Sequence, residues 1–144
     1  FTIPLEDGNS FHLREVKGKN VVLYFYPKDD TPGCTKQACA FKDSFETFKE
    51  KNTLILGVSR DPLKSHKKFV EKYKLPFLLG SDEDGKVTEL YKVWVEKNMY
   101  GRKYMGVART TFVINKQGKI VKIFKNVKPK GHSEEVLRAL EGLP

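Results

Sequence analysis

Val21-Val22-Leu23-Tyr24-Phe25 is an unbroken apolar run, the pattern of a strand buried on both faces of a sheet. A second run, Thr53–Ser59, is built on Leu54, Ile55, Leu56 and Val58. A shorter strand is expected near residues 11–13, after an opening turn at Glu6-Asp7-Gly8-Asn9. Between the two long runs the pattern turns helical. Cys34, Ala38, Phe41, Phe45 and Phe48 share one face of a helix expected from just after Thr31 to about Lys51. Leu63, Phe69, Val70 and Tyr73 mark another amphipathic helix, with Asp61 as its N-cap and Pro62 as its first residue. Residues 76–79 read as a short strand. Val87, Leu90, Tyr91 and Trp94 fall at i, i+3, i+4 and i+7, which predicts one more helix. Residues 95–108 contain Gly101 and Gly106 without a clear period and are expected to form a loop. Thr110–Ile114 and residues 119–125 flank Asn115-Lys116-Gln117-Gly118, a hairpin turn with Gly at positive φ. A closing helix starts near Ser133 and uses Val136, Leu137 and Leu140.

The order is therefore β-β-α-β-α-β-α-β-β-α. Parallel crossovers come first and an antiparallel hairpin last, with helices for both faces. This is an α/β pattern of thioredoxin-like type, a central mixed sheet flanked by helices. At 144 residues the chain is expected to form one domain, residues 1–144. A domain of that size buries about 68% of its unfolded surface. A hydrophobic content of 39% and a charged content of 31% exclude a disordered or low-complexity chain. No apolar stretch approaches the ~18 residues needed to span a bilayer. No secretory pattern opens the chain, which starts at Phe1 rather than Met and so leaves a removed leader open.

The formal charge of +9 raises the question of an anionic partner. The lysines are scattered, however, and many alternate with acids, as in Glu46–Lys51 and Glu71–Lys74. The densest set is Lys116, Lys119, Lys122, Lys125, Lys128 and Lys130. On an expected strand its spacing divides the charges between both faces, poor geometry for a groove that tracks phosphates. A solvated basic surface is favoured over a nucleic-acid footprint.

The chemistry concentrates in Pro27-Lys28-Asp29-Asp30-Thr31-Pro32-Gly33-Cys34. Thr31 fits an N-cap, Pro32 the first helical position and Cys34 the third. There the sulfur faces unpaired N–H groups at the positive end of the helix dipole, which favours S⁻ over SH and therefore reactivity. The competing reading makes Cys34 a small buried hydrophobe on the apolar face. The only other cysteine is Cys39. In an intact helix an i,i+5 pair has Cα atoms about 8.6 Å apart, whereas disulfides need about 4.4–6.8 Å. The two sulfurs can join only if the helix start unwinds. Cys39 as a helix residue without chemistry stays open. Two cysteines in so short a loop make no structural staple. A redox-active pair in a reducing compartment, the cytoplasm, is the stronger reading.

Pro27-x-x-x-Thr31-x-x-Cys34 resembles the peroxiredoxin signature. The stretch from Tyr24 to Thr35 resembles the Q-type branch of that family, also called bacterioferritin comigratory protein. Tyr91-Lys92-Val93-Trp94, Met99-Tyr100-Gly101 and Arg109-Thr110-Thr111-Phe112-Val113-Ile114 extend the match over nearly the whole chain. The resemblance implies a thiol peroxidase of antioxidant defence, acting on hydrogen peroxide and organic hydroperoxides. Cys34 would be the peroxidatic cysteine, passing through a sulfenic acid, and Cys39 the resolving one, giving an intramolecular Cys34–Cys39 disulfide. Thr31 would hydrogen-bond the thiolate or the peroxide, Pro27 would shield the site from water, and Arg109 would face sulfur and peroxide. Taken alone, Arg109 reads as a surface charge. A thioredoxin-type dithiol would regenerate the enzyme as a monomer, with no metal, haem, flavin or selenium and no nucleic-acid or membrane partner. Gln37 stands where this branch often carries Glu.

The remaining candidates are weaker. His12, His66 and His132 have no metal-ligand spacing, and His66 reads as a helix surface residue. Ser81-Asp82-Glu83-Asp84-Gly85 lacks the EF-hand pattern and reads as a helix-initiating turn. Trp94 is expected in the core, and Tyr26 either lines the pocket or packs. Two other functions remain on the sequence: a thiol–disulfide oxidoreductase, weakened by the lack of C-x-x-C, and a basic binding module.

Overall fold

The computed structural model describes residues 1–143. The chain opens with a small antiparallel hairpin, β1 (Thr2–Pro4) and β2 (Ser10–His12), and a 3-10 turn over Leu13–Val16. β3 (Asn20–Phe25) is the apolar run, buried at every position. There follow α1 (Pro32–Asp43), α2 (Phe45–Glu50), β4 (Thr53–Ser59), α3 (Leu63–Tyr73) and β5 (Leu78–Ser81). The second half contains α4 (Lys86–Leu90), β6 (Trp94–Met99), β7 (Arg102–Val107), β8 (Thr110–Ile114), β9 (Ile120–Phe124) and α5 (His132–Glu141).

Five strands form the central sheet in the order β5-β4-β3-β8-β9. β3, β4 and β5 run parallel, while β8 and β9 are antiparallel to their neighbours, so the sheet is mixed as the element order predicts. Alternate residues of β3 feed two cores. Val22 and Tyr24 pack with Cys34, Ala38, Phe41, Phe69 and Val136 beneath α1, α3 and α5. Val21, Leu23 and Phe25 pack on the other face with Ile3, Phe11, Val87, Val93 and Val107. That second layer comes from the opening hairpin, α4 and the base of β6 and β7.

Register decides where chemistry can occur. Phe25, the last residue of β3, pairs with Thr110, the first of β8. The loop leaving β3 and the residue entering β8 therefore lie at the same end of the sheet. Gly57 of β4 stands opposite Tyr24, and a Cβ there would lie 2.7 Å from the tyrosine Cζ and 2.9 Å from Leu79 Cδ2. Only glycine lets the Tyr24 ring lie across the neighbouring strand.

Several boundaries differ from expectation. The helix expected to about Lys51 breaks at Ser44, whose backbone turns to φ −99° and ψ 6° and whose hydroxyl lies 3.3 Å from that of Ser133. α3 begins one residue late, with Pro62 as its cap. The strand expected at 11–13 ends at His12, and β1 carried too few residues to show a period. α4 ends at Leu90, because Lys92 adopts φ +60° and Trp94 starts a strand. Trp94 is half-buried rather than core, with the Arg60 guanidinium 3.4 Å over its ring.

The largest difference is at 95–108, which is a hairpin and not a loop. β6 and β7 pair from Trp94–Val107 to Met99–Arg102 through a Tyr100-Gly101 turn with φ +53° and +79°. Both faces of this ribbon are largely open, with Met99, Tyr100, Tyr104 and Met105 exposed. No buried face existed to impose an alternating pattern. The turn between β8 and β9 agrees with expectation, with Gly118 at φ +82°. No helix among the described residues is long and apolar enough to cross a membrane.

Gly57→Ala is expected to lower stability by about 1–3 kcal/mol through overpacking against Tyr24. A reduced urea midpoint at unchanged m-value is the readout. A midpoint equal to the parent's would mean that the ring swings aside freely.

Candidate active site

Thr31 caps α1 in extended conformation (φ −93°, ψ 156°), Pro32 opens the helix, and Cys34 occupies its third position. The turn closes through Thr35 N–H donating to Thr31 O at 2.8 Å. One detail departs from expectation: the Thr31 hydroxyl does not cap the helix. It turns back and donates to Lys28 O at 2.9 Å, which leaves its oxygen lone pairs as acceptors. Cys34 is buried and Cys39 half-buried, both are free thiols, and both lie on the uninterrupted α1.

Arg109 reaches this thiol from the position just before β8, beside the end of β3. Its backbone carbonyl accepts from Val127 N–H at 3.0 Å, and the neighbouring Ala108 N–H donates to Val93 O at 2.7 Å. With its base held on both sides, the guanidinium divides its fork. Nη2 donates to Cys34 Sγ at 3.3 Å and Nη1 to Gln37 Oε1 at 2.6 Å. Gln37 is buried one helical turn beyond Cys34, and its Nε2 finds no partner among the described residues. The guanidinium also lies over Gly33, where a Cβ would sit 3.1 Å from Nη2. Lys97 of β6 adds a second cation near the site. Burial and then the like charge of Arg109 lower its pKa, while Cys34 pulls the other way.

Beneath the sulfur, Tyr24 presents a buried hydroxyl with no partner among the described residues. Burial, and after it the charge of Cys34, raises that phenol well above its ordinary range. Pro27 leaves the end of β3 exposed. Two residues on, Asp29 is buried and carries the densest hydrogen bonding of the loop. It accepts from Tyr26 Oη at 2.5 Å, Ser65 Oγ at 2.8 Å and His66 Nδ1 at 2.7 Å. Asp30, held at φ +56°, accepts from Lys72 Nζ and Tyr73 Oη, each at 2.8 Å. Both acids thus tie the loop to α3.

His66 corrects the sequence reading. It is wholly buried, not a surface residue. Burial opposes its charge, but the hydrogen bond and charge of Asp29 outweigh it and raise its pKa. Helical spacing showed His66 beside Phe69 and Val70, but a lone histidine carries no sign of a distant carboxylate. His132, also buried, goes the other way: burial lowers its pKa despite Glu135 at 2.9 Å. Asp82 behaves as expected of a helix-initiating residue, accepting from Val87 N–H at 3.0 Å and Thr88 N–H at 2.7 Å.

Residues 1–123 match the model of the AhpC/TSA family. The chain belongs to that family. Its relatives place it in the peroxiredoxin branch called Bcp or Q. Peroxiredoxin Bcp of Bacillus subtilis is 47% identical over 138 residues, covering 96% of this chain and 88% of that protein. The chloroplastic peroxiredoxin Q of Sedum lineare is 45% identical over 145 residues, covering 99% of this chain and 75% of the plant protein. Among solved structures, peroxiredoxin Q of Xanthomonas campestris superposes with a TM-score of 0.95 at 40% identity, covering 99% of this chain and 90% of the other. The fold is thus the thioredoxin-like fold of peroxiredoxins, and the protein is a peroxidase, an oxidoreductase that takes peroxides and a thiol reductant.

Within this peroxiredoxin, Gly33 is what allows the guanidinium its approach. Gly33→Ala adds helix propensity of about 0.5–1 kcal/mol at a half-buried first turn yet pushes Nη2 outward by a few tenths of an ångström. Thermal stability is expected to hold or rise while the rate constant for oxidation by peroxide falls about tenfold. A variant oxidised at the parental rate would show that the Arg109 contact is not rate-determining.

Proposed function

We propose that Cys34 is the peroxidatic cysteine and Cys39 the resolving one, in a cycle recycled by a thioredoxin-type dithiol. The observation that carries this reading is the divided Arg109 fork, one arm on Cys34 Sγ at 3.3 Å, at the start of a helix. The Cys34 thiolate attacks one oxygen of a hydroperoxide and the O–O bond breaks. The electron pair goes to the departing oxygen, which takes a proton and leaves as water or alcohol, while sulfur becomes a sulfenic acid. Arg109 and the N–H groups of the first turn stabilise the charge that develops. Because the Thr31 hydroxyl proton is committed to Lys28 O, its oxygen accepts a hydrogen bond from the incoming hydroperoxide O–H rather than donating one to the thiolate. Pro27, at the rim of the same loop, limits access of water.

Cys39 thiolate then attacks Cys34 sulfur, the S–S bond forms, and hydroxide leaves with a proton as water. With α1 continuous across both residues, the i,i+5 geometry of about 8.6 Å forbids this until the helix start unwinds. The external dithiol restores both thiols by exchange through a mixed disulfide. Hydrogen peroxide and organic hydroperoxides are the proposed substrates. A solved relative, the bacterioferritin comigratory protein of Xanthomonas campestris, 40% identical, is described by its alkyl peroxide reduction activity.

Stopped-flow oxidation followed by mass spectrometry tests the assignment. The parent protein should lose two hydrogens as an internal bridge after one equivalent of peroxide. Cys39→Ser should be oxidised at a similar rate but stop at a dimedone-trappable sulfenic acid and lose turnover with thioredoxin. Cys34→Ser should not react. Undiminished turnover in Cys39→Ser would remove that residue from the cycle.

A further inference from the structure

The loop that carries the reactive sulfur is pinned by a buried ion pair for which the peroxidase chemistry has no use. Asp29 Oδ2 lies 2.7 Å from His66 Nδ1, with side chains 3% and 0% exposed. The other ring nitrogen, Nε2, lies 2.9 Å from the Gly80 carbonyl of β5. A carbonyl and a carboxylate can only accept, so both ring nitrogens must carry protons, and the imidazole is a cation. Every element packed on it contributes a defined group. From the end of β3 comes Tyr26 Oη, 3.4 Å from Nδ1 and donating to Asp29. From the turn before α3 comes Asp61, whose Oδ2 accepts Asp29 N–H at 2.9 Å and Ser59 Oγ at 2.6 Å. From α3 itself comes Ser65 Oγ, donating to Asp29 Oδ2. β5 offers only the Gly80 carbonyl. One aspartate, two residues before Thr31, thus fastens the loop to α3 and the turn before it, and Asp61 and His66 carry the chain of bonds on to β4 and β5.

We propose that the Asp29–His66 pair is a positioning latch for the loop bearing Thr31 and Cys34, closed in the reduced enzyme and loosened when the start of α1 unwinds to form the Cys34–Cys39 disulfide. The proposal rests on the resolving role given to Cys39. Unwinding from Pro32 onward pulls on the Lys28–Thr31 segment, and Asp29 is the anchor that resists. A buried pair of this kind is all or nothing: losing one partner strands the other charge, so the latch holds the loop in one register.

Linkage gives the latch a sign. His66 has a raised pKa in the folded loop. Its contribution is therefore fully present below the ordinary histidine pKa and is lost as pH rises through the raised folded value. Between these limits, opening the latch releases a proton. Rising pH then favours the unwound helix start, and acid favours the closed one. By reciprocity, converting the thiols to the disulfide must lower the pH at which His66 titrates.

NMR titration of the His66 ring in the reduced protein and in the peroxide-generated disulfide form is the deciding experiment. The midpoint is expected to be lower in the disulfide form. Asp29→Asn should lower the reduced-state midpoint towards it and speed disulfide formation severalfold. Ser65→Ala, which takes a competing donor from Asp29 Oδ2 and leaves both charges, should raise the reduced midpoint and slow disulfide formation, and serves if Asp29→Asn does not fold. In His66→Asn, amide-exchange protection factors across Thr35–Ala38 should lose the dependence on pH that the parent shows. Equal midpoints in the two redox forms, or parental pH dependence in His66→Asn, would sink the latch. Failure of the parent to form any disulfide would instead overturn the resolving role of Cys39, so the two failures are distinguishable.

Discussion

A guanidinium held 3.3 Å from a buried sulfur is the contact on which this structure depends. Nothing local in the chain supplies it, since the partners lie 75 residues apart. It exists because β8 runs antiparallel beside β3 with Phe25 opposite Thr110, so that the residue entering β8 meets the loop leaving β3. The site is thus a property of sheet register. A slip of one residue would turn Arg109 to the opposite face and separate the pair. The continuous burial of β3 and β8, which packs both faces of the sheet, forbids that slip.

The same arrangement carries its own tension. In the proposed cycle, holding Cys34 ready requires an intact first turn of α1, whereas joining it to Cys39 requires that turn to open. A structure that stabilised only the closed form would stall after the first step. Two features work against excessive stability there. Tyr24 Oη and Gln37 Nε2 are buried without partners among the described residues, and an unsatisfied buried polar group costs about 1–3 kcal/mol. Tyr24 shares its core with Cys34 and Ala38, so opening the helix start uncovers that core. Against these stand the capped turn, the Arg109 fork and the hydrogen bonds of Asp29 and Asp30 to α3. The balance is one of small differences between the two sets.

What could be read from the sequence follows from which signals are local. The buried strands announced themselves because burial on both faces leaves an apolar run, and Thr31-Pro32-Gly33-Cys34 placed a thiol at a helix start because caps are made of adjacent residues. The resemblance of the surrounding motifs to peroxiredoxins pointed to Arg109, which its own neighbourhood would not have done. Non-local polar structure stayed hidden. His66 looked exposed because its partners, Asp29 and Gly80, come from other elements. The Thr31 hydroxyl was expected on the helix because capping is the local alternative, yet donating to the Lys28 carbonyl three residues back turns its oxygen away from the helix N–H groups it would have accepted. The hairpin of β6 and β7 was missed for the opposite reason: it buries little, so no period was imposed on it. Its only signal was Tyr100-Gly101, a turn pair that also occurs in loops.

That hairpin changes the electrostatics of the site. Lys97 lies on β6 with its side chain against Gly106, half-buried, and feels both Arg109 and Cys34. Gln37 holds the Arg109 fork with a neutral carbonyl where the branch often has a carboxylate, so the guanidinium is oriented without being neutralised. A carboxylate there would offset the charge that attack on an O–O bond calls for. The guanidinium cation is felt by its neighbour Lys97, whose ammonium is disfavoured first by burial and then by the like charge of Arg109. Burial disfavours charge of either sign, but the like-charge part of that shift comes from the positive field of Arg109, and that field stabilises an anion. In the proposed reaction the departing oxygen of the hydroperoxide is that anion, because it develops beside the sulfur, within reach of the guanidinium and the first-turn N–H groups.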